Sequence, residues 1–382
     1  MKGLPHAPDF QYDWEGLRQT RLSALFDEMA NTDQNPAWHA EGDVWTHTRM
    51  VCEALAQMPE FRALPLRQQE ELALAALLHD VGKIRKTRLE DGVLVSPGHS
   101  AAGAQRVRGV LWRDLELCGN PDRQGFRETV CQLIRHHGLP PRMLDRNDPA
   151  LRVRSVAAAG ELVPDFNIKL LCMLAKADVL GRVAPDREAM LEEVQLCEAL
   201  AEECGCLNGP YGFASGFTER GYLSGRKVSP EQELFDDSWG EVILMCGLPG
   251  VGKDTWLQRT RPELPVVSLD AIRMGLNVRP TDEQGRVVQL ARERAREYLR
   301  RREPFAWDAT CLTSILRQKQ ISMFEKYHAS VRIVYLETDW QENLRRNAQR
   351  AACVPEHVID RMLDQLEPPE RAEARRVEWI CV

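Results

Sequence analysis

Apolar residues recur every three or four positions from about Asp43 to Leu200, and this spacing predicts a run of amphipathic helices. The segments "VWTHTRMVCEALAQM", "RQQEELALAALLHD", "FRETVCQLIRHH" and "FNIKLLCMLAKADVL" carry the pattern. Beyond Gly240 the pattern changes to short β-rich runs, "EVILMCG", "PVVSLD", "PFAWDAT" and "VRIVYLET". Helix-like stretches such as "DEQGRVVQLARERAREYLRRRE" separate them. Strands alternating with helices imply a parallel sheet covered on both faces. Between the two patterns lies a glycine- and aromatic-rich stretch with no sustained period. The expectation is therefore a multidomain chain: an all-α domain over 1–204 with its core at about 36–200, a connector over 205–240, and an α/β domain over 241–382.

The length of 382 residues suits two such domains, each able to bury its own core. A hydrophobic fraction of 43% with no long apolar run argues against a membrane protein. The opening residues lack a basic start followed by an apolar stretch, so a cytoplasmic address is expected. Eleven cysteines scattered without regular spacing fit reduced thiols, and Cys204 with Cys206, the close pair, has no matching partners for a zinc site. The net charge of −7 argues against indiscriminate nucleic-acid binding over the whole surface and leaves room for a local basic groove.

Six of the nine histidines, His39, His47, His79, His99, His136 and His137, sit in the helical half beside apolar stretches. His47 falls three residues after Val44 and four before Val51, so it projects from the apolar stripe of its helix. Asp178 lies four after Leu174 and seven after Leu171, which also turns it inward. A lone buried carboxylate is strongly disfavoured, whereas one surrounded by imidazoles and a cation is not. His79 and Asp80 close a third apolar helix. Imidazole with carboxylate is the ligand mixture of divalent transition metals that activate water. Helical period favours His137 over His136, because His137 continues the stripe of Val130, Leu133 and Ile134; which of the two binds metal stays open.

The order His47, "HDVGK" at 79–83, "GH" at 98–99, "RHH" at 135–137 and "ADVLGR" at 177–182 resembles the HD-domain metallophosphohydrolases over about Pro36 to Arg182. "EGDVWTHT" and "RHH" are most similar to the helical domain attached to bacterial tRNA nucleotidyltransferases. The resemblance implies one metal on His47, His79, Asp80 and Asp178. It further implies a second on His99 with one or both of His136 and His137, bridged by Asp80. Manganese, nickel, cobalt and zinc all suit these donors. Lys83 and Arg182 are candidates to neutralise a phosphate oxygen, and His39 stands outside the ligand series.

In the second half an apolar strand runs into "GLPGVGKDT" and then a helix start. Backbone N–H groups of such a loop point inward around a phosphate, and the helix N-terminus adds its dipole. Gly247, Gly250, Val251, Gly252, Lys253, Asp254 and Thr255 make up this nucleotide loop. Asp254 occupies the slot of the usual hydroxyl, which falls one residue later at Thr255. Asp254 is open to two readings, a magnesium contact or a helix N-terminal charge. Asp270 and Arg273 share a helical face at i and i+3, and Asp308 with Thr310 ends a strand. Arg346 and Arg350 share a face at i and i+4.

These elements resemble the polynucleotide 5′-kinase branch of P-loop phosphotransferases over about Glu241 to Pro369. The resemblance implies Lys253 on the donor phosphates, Asp270 as general base, Arg273 on the acceptor's 3′-phosphate, Asp308 beside the acceptor, and Arg350 with Arg346 as a lid. Asp254 departs from the family's serine or threonine. An HD domain ahead of such a kinase is similar to the bacterial HD-Pnk end-healing enzymes. That layout implies ATP or another NTP with Mg2+ in the kinase and transition metals in the HD domain. The partners it implies are RNA or DNA ends and a functional link to a polynucleotide ligase. A nucleotide phosphohydrolase fused to a nucleoside-type kinase, or a regulatory module without turnover, are the competing readings.

Overall fold

The structure, a computed structural model, describes residues 3–279, 282–350 and 353–382. It divides into two compact units: one comprises the residues up to Leu117 together with Asp122–Tyr211, the other Cys118–Pro121 together with Gly212–Val382. The segment read as a connector carries a helix of its own, Gly216–Leu223, started by Ser215 accepting from the Thr218 N–H. From that helix Arg220 reaches Glu325 at 3.1 Å.

The helical unit is organised around three mutually packed helices, Val44–Gln57, Leu66–Leu78 and Ile168–Leu180. The first begins where Asp43 accepts from the Thr46 N–H at 2.9 Å, and it buries Val44, His47, Thr48, Val51, Cys52 and Leu55, the three-and-four spacing seen in the sequence. Asn167 caps the third in the same way, and that helix is buried on nearly every side. Helices His99–Arg113 and Pro121–His136 are tied by Arg108, which donates across to the buried Glu128, while Arg127 donates to the same carboxylate from its own helix. Cys204 and Cys206 are buried free thiols.

Two glycines permit the close approaches that bring the site together. A Cβ on Gly82 would stand 1.9 Å from the His99 carbonyl oxygen, and one on Gly181 would stand 2.5 Å from the Val51 nitrogen. Gly82 thus lets the turn after Asp80 lie against the start of the His99 helix. Gly181, one turn past Asp178, does the same against the His47 helix.

One feature departs from the all-helical expectation for this half. Strands β1 (Arg88–Glu90) and β2 (Val93–Val95) form an antiparallel hairpin. Its turn is Asp91-Gly92 with φ of 49° and 79°, and two positive φ values in an Asp-Gly pair favour a two-residue hairpin over continued helix.

The second unit holds a five-stranded parallel sheet: β3 (Glu241–Cys246), β4 (Val266–Ser268), β5 (Ala306–Asp308), β6 (Ser330–Glu337) and β7 (Arg376–Cys381). The order is β4-β5-β3-β6-β7, with helices connecting the strands. The fold class is the expected one, an α/β domain on a parallel sheet. β7 was not expected, because "RVEWIC" lies at the sheet edge, half exposed and interrupted by charge, and lacks the unbroken apolar run of β3. Among the described residues no helix is long and apolar enough to cross a membrane.

Because the Gly82 contact is backbone against backbone, Gly82→Ala is expected to lower stability by about 1–3 kcal/mol. It should also loosen metal binding at the adjacent cluster. Thermal unfolding with and without added Mn2+ checks this; an unchanged melting temperature would contradict the close-approach role.

Candidate functional site

Four histidines and two aspartates converge in the helical unit. His47, His79 and Asp80 offer ligand atoms within 4.8 Å of one another, as do His79, His137 and Asp178, and Asp80, His99 and His137. His47 Nε2 lies 3.0 Å from Asp178 Oδ1 and 3.7 Å from Asp80 Oδ2. His79 Nε2 is 3.3 Å from Asp80 Oδ2. On the other side of Asp80, His99 Nε2 and His137 Nε2 stand 3.3 and 3.7 Å from Oδ1.

The tautomers follow from what the opposite ring nitrogens meet. His79 Nδ1 donates to the Ala76 carbonyl at 2.8 Å, His99 Nδ1 to Ser96 at 2.8 Å, and His137 Nδ1 to Ile134 at 2.7 Å. A carbonyl oxygen only accepts, so each Nδ1 carries a proton and each ring turns Nε2 toward the carboxylates; on His99 and His137, which burial holds neutral, that Nε2 is a lone pair. His99 and His137 even present their Nε2 atoms to one another at 3.4 Å. Acceptors facing acceptors repel unless a cation stands among them. Among the described residues His79 Nε2 and Asp80 Oδ1 are buried with no hydrogen-bond partner, which suits atoms that ligate a metal. Burial and the neighbouring His79 and His99 hold His137 down to about 3, and burial also lowers His99, so protons do not readily take that place. The donor set fits a divalent transition metal, with Asp80 between two groups of imidazoles.

His137 enters this cluster and His136 does not. His136 lies against Phe166, ring centroids 6.5 Å apart, and belongs to none of the ligand groups among the described residues. The cations expected near phosphate both reach the carboxylates: Lys83 Nζ is 2.7 Å from Asp80 Oδ2, and Arg182 donates to both oxygens of Asp178 at 3.1 Å. Burial would raise Asp80 and Asp178, but Lys83 beside the first and Arg182 beside the second hold both well below the usual carboxylate range.

Sequence reading missed Glu41. Its Oε1 accepts from His39 Nδ1 at 2.8 Å and lies 2.9 Å from His47 Nδ1, while Oε2 accepts from the Val183 N–H. With Asp178 it clamps His47 between two carboxylates and raises its pKa against the lowering effect of burial. Gln34 was missed as well, and it accepts from Lys83 at 2.6 Å. His39, left without a role by the sequence, lies with its Nε2 3.4 Å from Lys83 Nζ. The signal for Glu41 was its place two residues from His39, ahead of Gly42, whose φ of 112° reverses the chain.

In the second unit a cavity of about 930 Å³ opens over the glycine-rich loop. Gly250, Val251, Gly252, Lys253, Asp254, Thr255, Asp270, Arg273, Asp308, Thr310, Arg346 and Arg350 all line it. Gly247 lies behind it, with φ of 140° and no room for a Cβ, which would meet the Leu336 carbonyl at 2.5 Å. Lys253 is folded back on its own loop, donating to the Gly247 and Leu248 carbonyls at 3.2 and 3.0 Å. Asp270 is gripped by Arg273 and by Arg350, the latter at 2.8 Å. Arg346 donates to the Val251 carbonyl at 3.2 Å and pairs with Glu342. Helix Trp340–Ala348 ends before Arg350, so the two arginines reach one cavity from a helix and from the turn after it rather than from a continuous helical face. Burial, with the Asp254 carboxylate beside it, pushes Asp308 up to about 6.

The HD domain family model matches residues 44–164, and the AAA domain family model matches residues 242–369. A multifunctional CCA protein of Halorhodospira halophila (strain DSM 244 / SL1) is 36% identical over 103 residues, which are 26% of this chain and 22% of that protein. The chain thus spans little more than a fifth of that relative's length. Fold, site and matches together define a fusion of a helical HD phosphohydrolase domain with a P-loop kinase-like α/β domain. The HD domain implies a bound divalent metal, and the kinase-like domain implies a nucleoside triphosphate with Mg2+.

If His137 supplies a ligand and His136 does not, His137→Ala should weaken Mn2+ binding at least about tenfold while His136→Ala leaves it unchanged. Metal titration of both variants checks this, and equal losses in the two would refute the assignment.

Proposed function

We propose that the protein is a bifunctional nucleic-acid end-healing enzyme, with the kinase-like domain phosphorylating 5′-hydroxyl ends and the HD domain removing 2′,3′-cyclic, 2′- or 3′-phosphates. In this reading the domains run over 1–204 and 241–382, and a polynucleotide ligase would use the healed ends. The observation that carries the reading is the shared cavity: a carboxylate held by two arginines, Asp270 with Arg273 and Arg350, opens on the same space as Lys253. A nucleotide kinase needs phosphate cations; a carboxylate poised among them suits an acceptor hydroxyl beside further phosphates.

Lys253 leaves its loop carbonyls for the β- and γ-phosphates as the nucleotide enters. Asp270 accepts the proton of the 5′-hydroxyl as the oxygen bonds to the γ-phosphorus and the bond to the β-phosphate oxygen breaks. Arg273 binds the acceptor's adjacent phosphate, and Arg350 and Arg346 neutralise charge on the transferring group. Asp270 is freed for this only when substrate phosphates take over its two arginines, which couples base release to acceptor binding. In the HD domain, His47, His79, Asp80, His99, His137 and Asp178 would hold the metal. A divalent ion there supplies Lewis acidity at the phosphate. Lys83 and Arg182, already at the carboxylates, would orient the phosphate oxygens, and Glu41 would hold His47 in place.

An assay on oligonucleotides bearing a 5′-hydroxyl or a 2′,3′-cyclic phosphate tests the proposal. Lys253→Ala is expected to reduce 5′-phosphorylation by about 100-fold or more and to spare phosphate removal. Asp80→Ala should do the reverse. Wild-type protein that phosphorylates free nucleosides but no oligonucleotide end would refute the end-healing reading in favour of small-molecule substrates.

A further inference from the structure

Asp254 breaks the usual loop pattern, and its neighbour explains what it can do. Asp308, at the end of β5, is 6% exposed and lines the cavity, and among the described residues its Oδ1 has no hydrogen-bond partner. Its Oδ2 accepts from Ser268 Oγ at 3.2 Å. Asp254, in the first turn after the loop, lines the same cavity and lies within hydrogen-bond reach of Asp308. Neither carboxylate forms an ion pair among the described residues, because the nearby Lys253 spends its donors on loop carbonyls. Two carboxylates in contact, one of them buried, need a cation between them to remain ionised.

We propose that Asp254 and Asp308 together bind a divalent cation on the nucleotide-free protein, so that the ion is in place before the nucleotide arrives. The inference rests on reading this cavity as the phosphoryl-transfer site. A loop with serine or threonine in this slot offers a neutral hydroxyl, and the ion enters largely on the charge of the nucleotide's phosphates. Here the protein itself carries two negative charges at that point. Hard oxygen donors at a partly hydrated cavity mouth suit Mg2+ or Mn2+. The same charge repels a nucleotide that comes without metal, so Asp254 makes nucleotide binding dependent on the ion.

Mn2+ bound by the full-length, nucleotide-free protein is counted by electron paramagnetic resonance for wild type, Asp254→Ser and Asp308→Asn. Ions held by the helical unit are common to all three and cancel in the difference. Each variant is expected to bind a single ion fewer, or to bind that ion roughly tenfold or more weakly. Asp254→Ser should also bind a fluorescent ATP analogue more tightly than wild type in the presence of a chelator, which shows at once that its loop is folded. Equal Mn2+ counts in wild type and both variants overturn the inference, even if the chain phosphorylates ends. An extra ion in a protein that transfers no phosphate supports the inference and overturns the kinase reading instead.

Discussion

The helical unit is built around a conflict of lone pairs. Three imidazoles, on His79, His99 and His137, each give their Nδ1 proton to a carbonyl three residues back and turn Nε2 toward Asp80 or Asp178. Lys83 and Arg182 donate into that space from its margin, His47 lies between two carboxylates, and the Ser100 hydroxyl reaches only His99 Nε2, at 3.4 Å. Such an arrangement is stable only with cations at its centre. Much of the surrounding fold serves to keep it from relaxing: Gly82 and Gly181 remove the Cβ atoms that would push the ligand-bearing helices apart.

The kinase-like unit meets its charges in the opposite way. Its carboxylates and cations line an open cavity, and most are paired with one another or with loop carbonyls. The Asp270 pairs are between partly exposed groups and hold by small energies, so a polyphosphate can exchange them one by one. Preorganisation in the first unit comes from burial and in the second from a glycine-rich backbone that leaves its side chains free to change partner. The difference suits a metal that stays and a nucleotide that leaves.

Legibility in the sequence followed the same division. Periodicity exposed the helices because apolar residues recur along them every three or four positions, and His47 and Asp178 stood out as polar residues in register with them. That His137 and not His136 enters the cluster needed the structure: successive residues on a helix point about 100° apart, which period ranks but does not decide. Glu41 escaped because it lies in a loop, where no period applies and a single positive-φ glycine sets the direction. β7 escaped because a half-exposed edge strand lacks an apolar run, and the β1–β2 hairpin because it is only three residues on a side. The glycine-rich loop between β3 and its helix was legible outright, since its backbone geometry demands glycine at fixed positions.

Asp308 and Asp80 show that one rule governs both sites. Each is a buried aspartate with an unpartnered oxygen, one facing a cavity and the other an imidazole cluster. Asp80 has Lys83 at 2.7 Å to keep it ionised, whereas among the described residues Asp308 has no ion pair, and burial raises its pKa. A buried carboxylate with an internal cation can wait for its metal indefinitely; one without must share a proton or capture an ion from solution. Serine at 254 would leave Asp308 a single weak acid at the end of a strand. Aspartate there turns the same oxygen into half of a charge pair, and the loop acquires a demand for metal that its backbone alone does not impose.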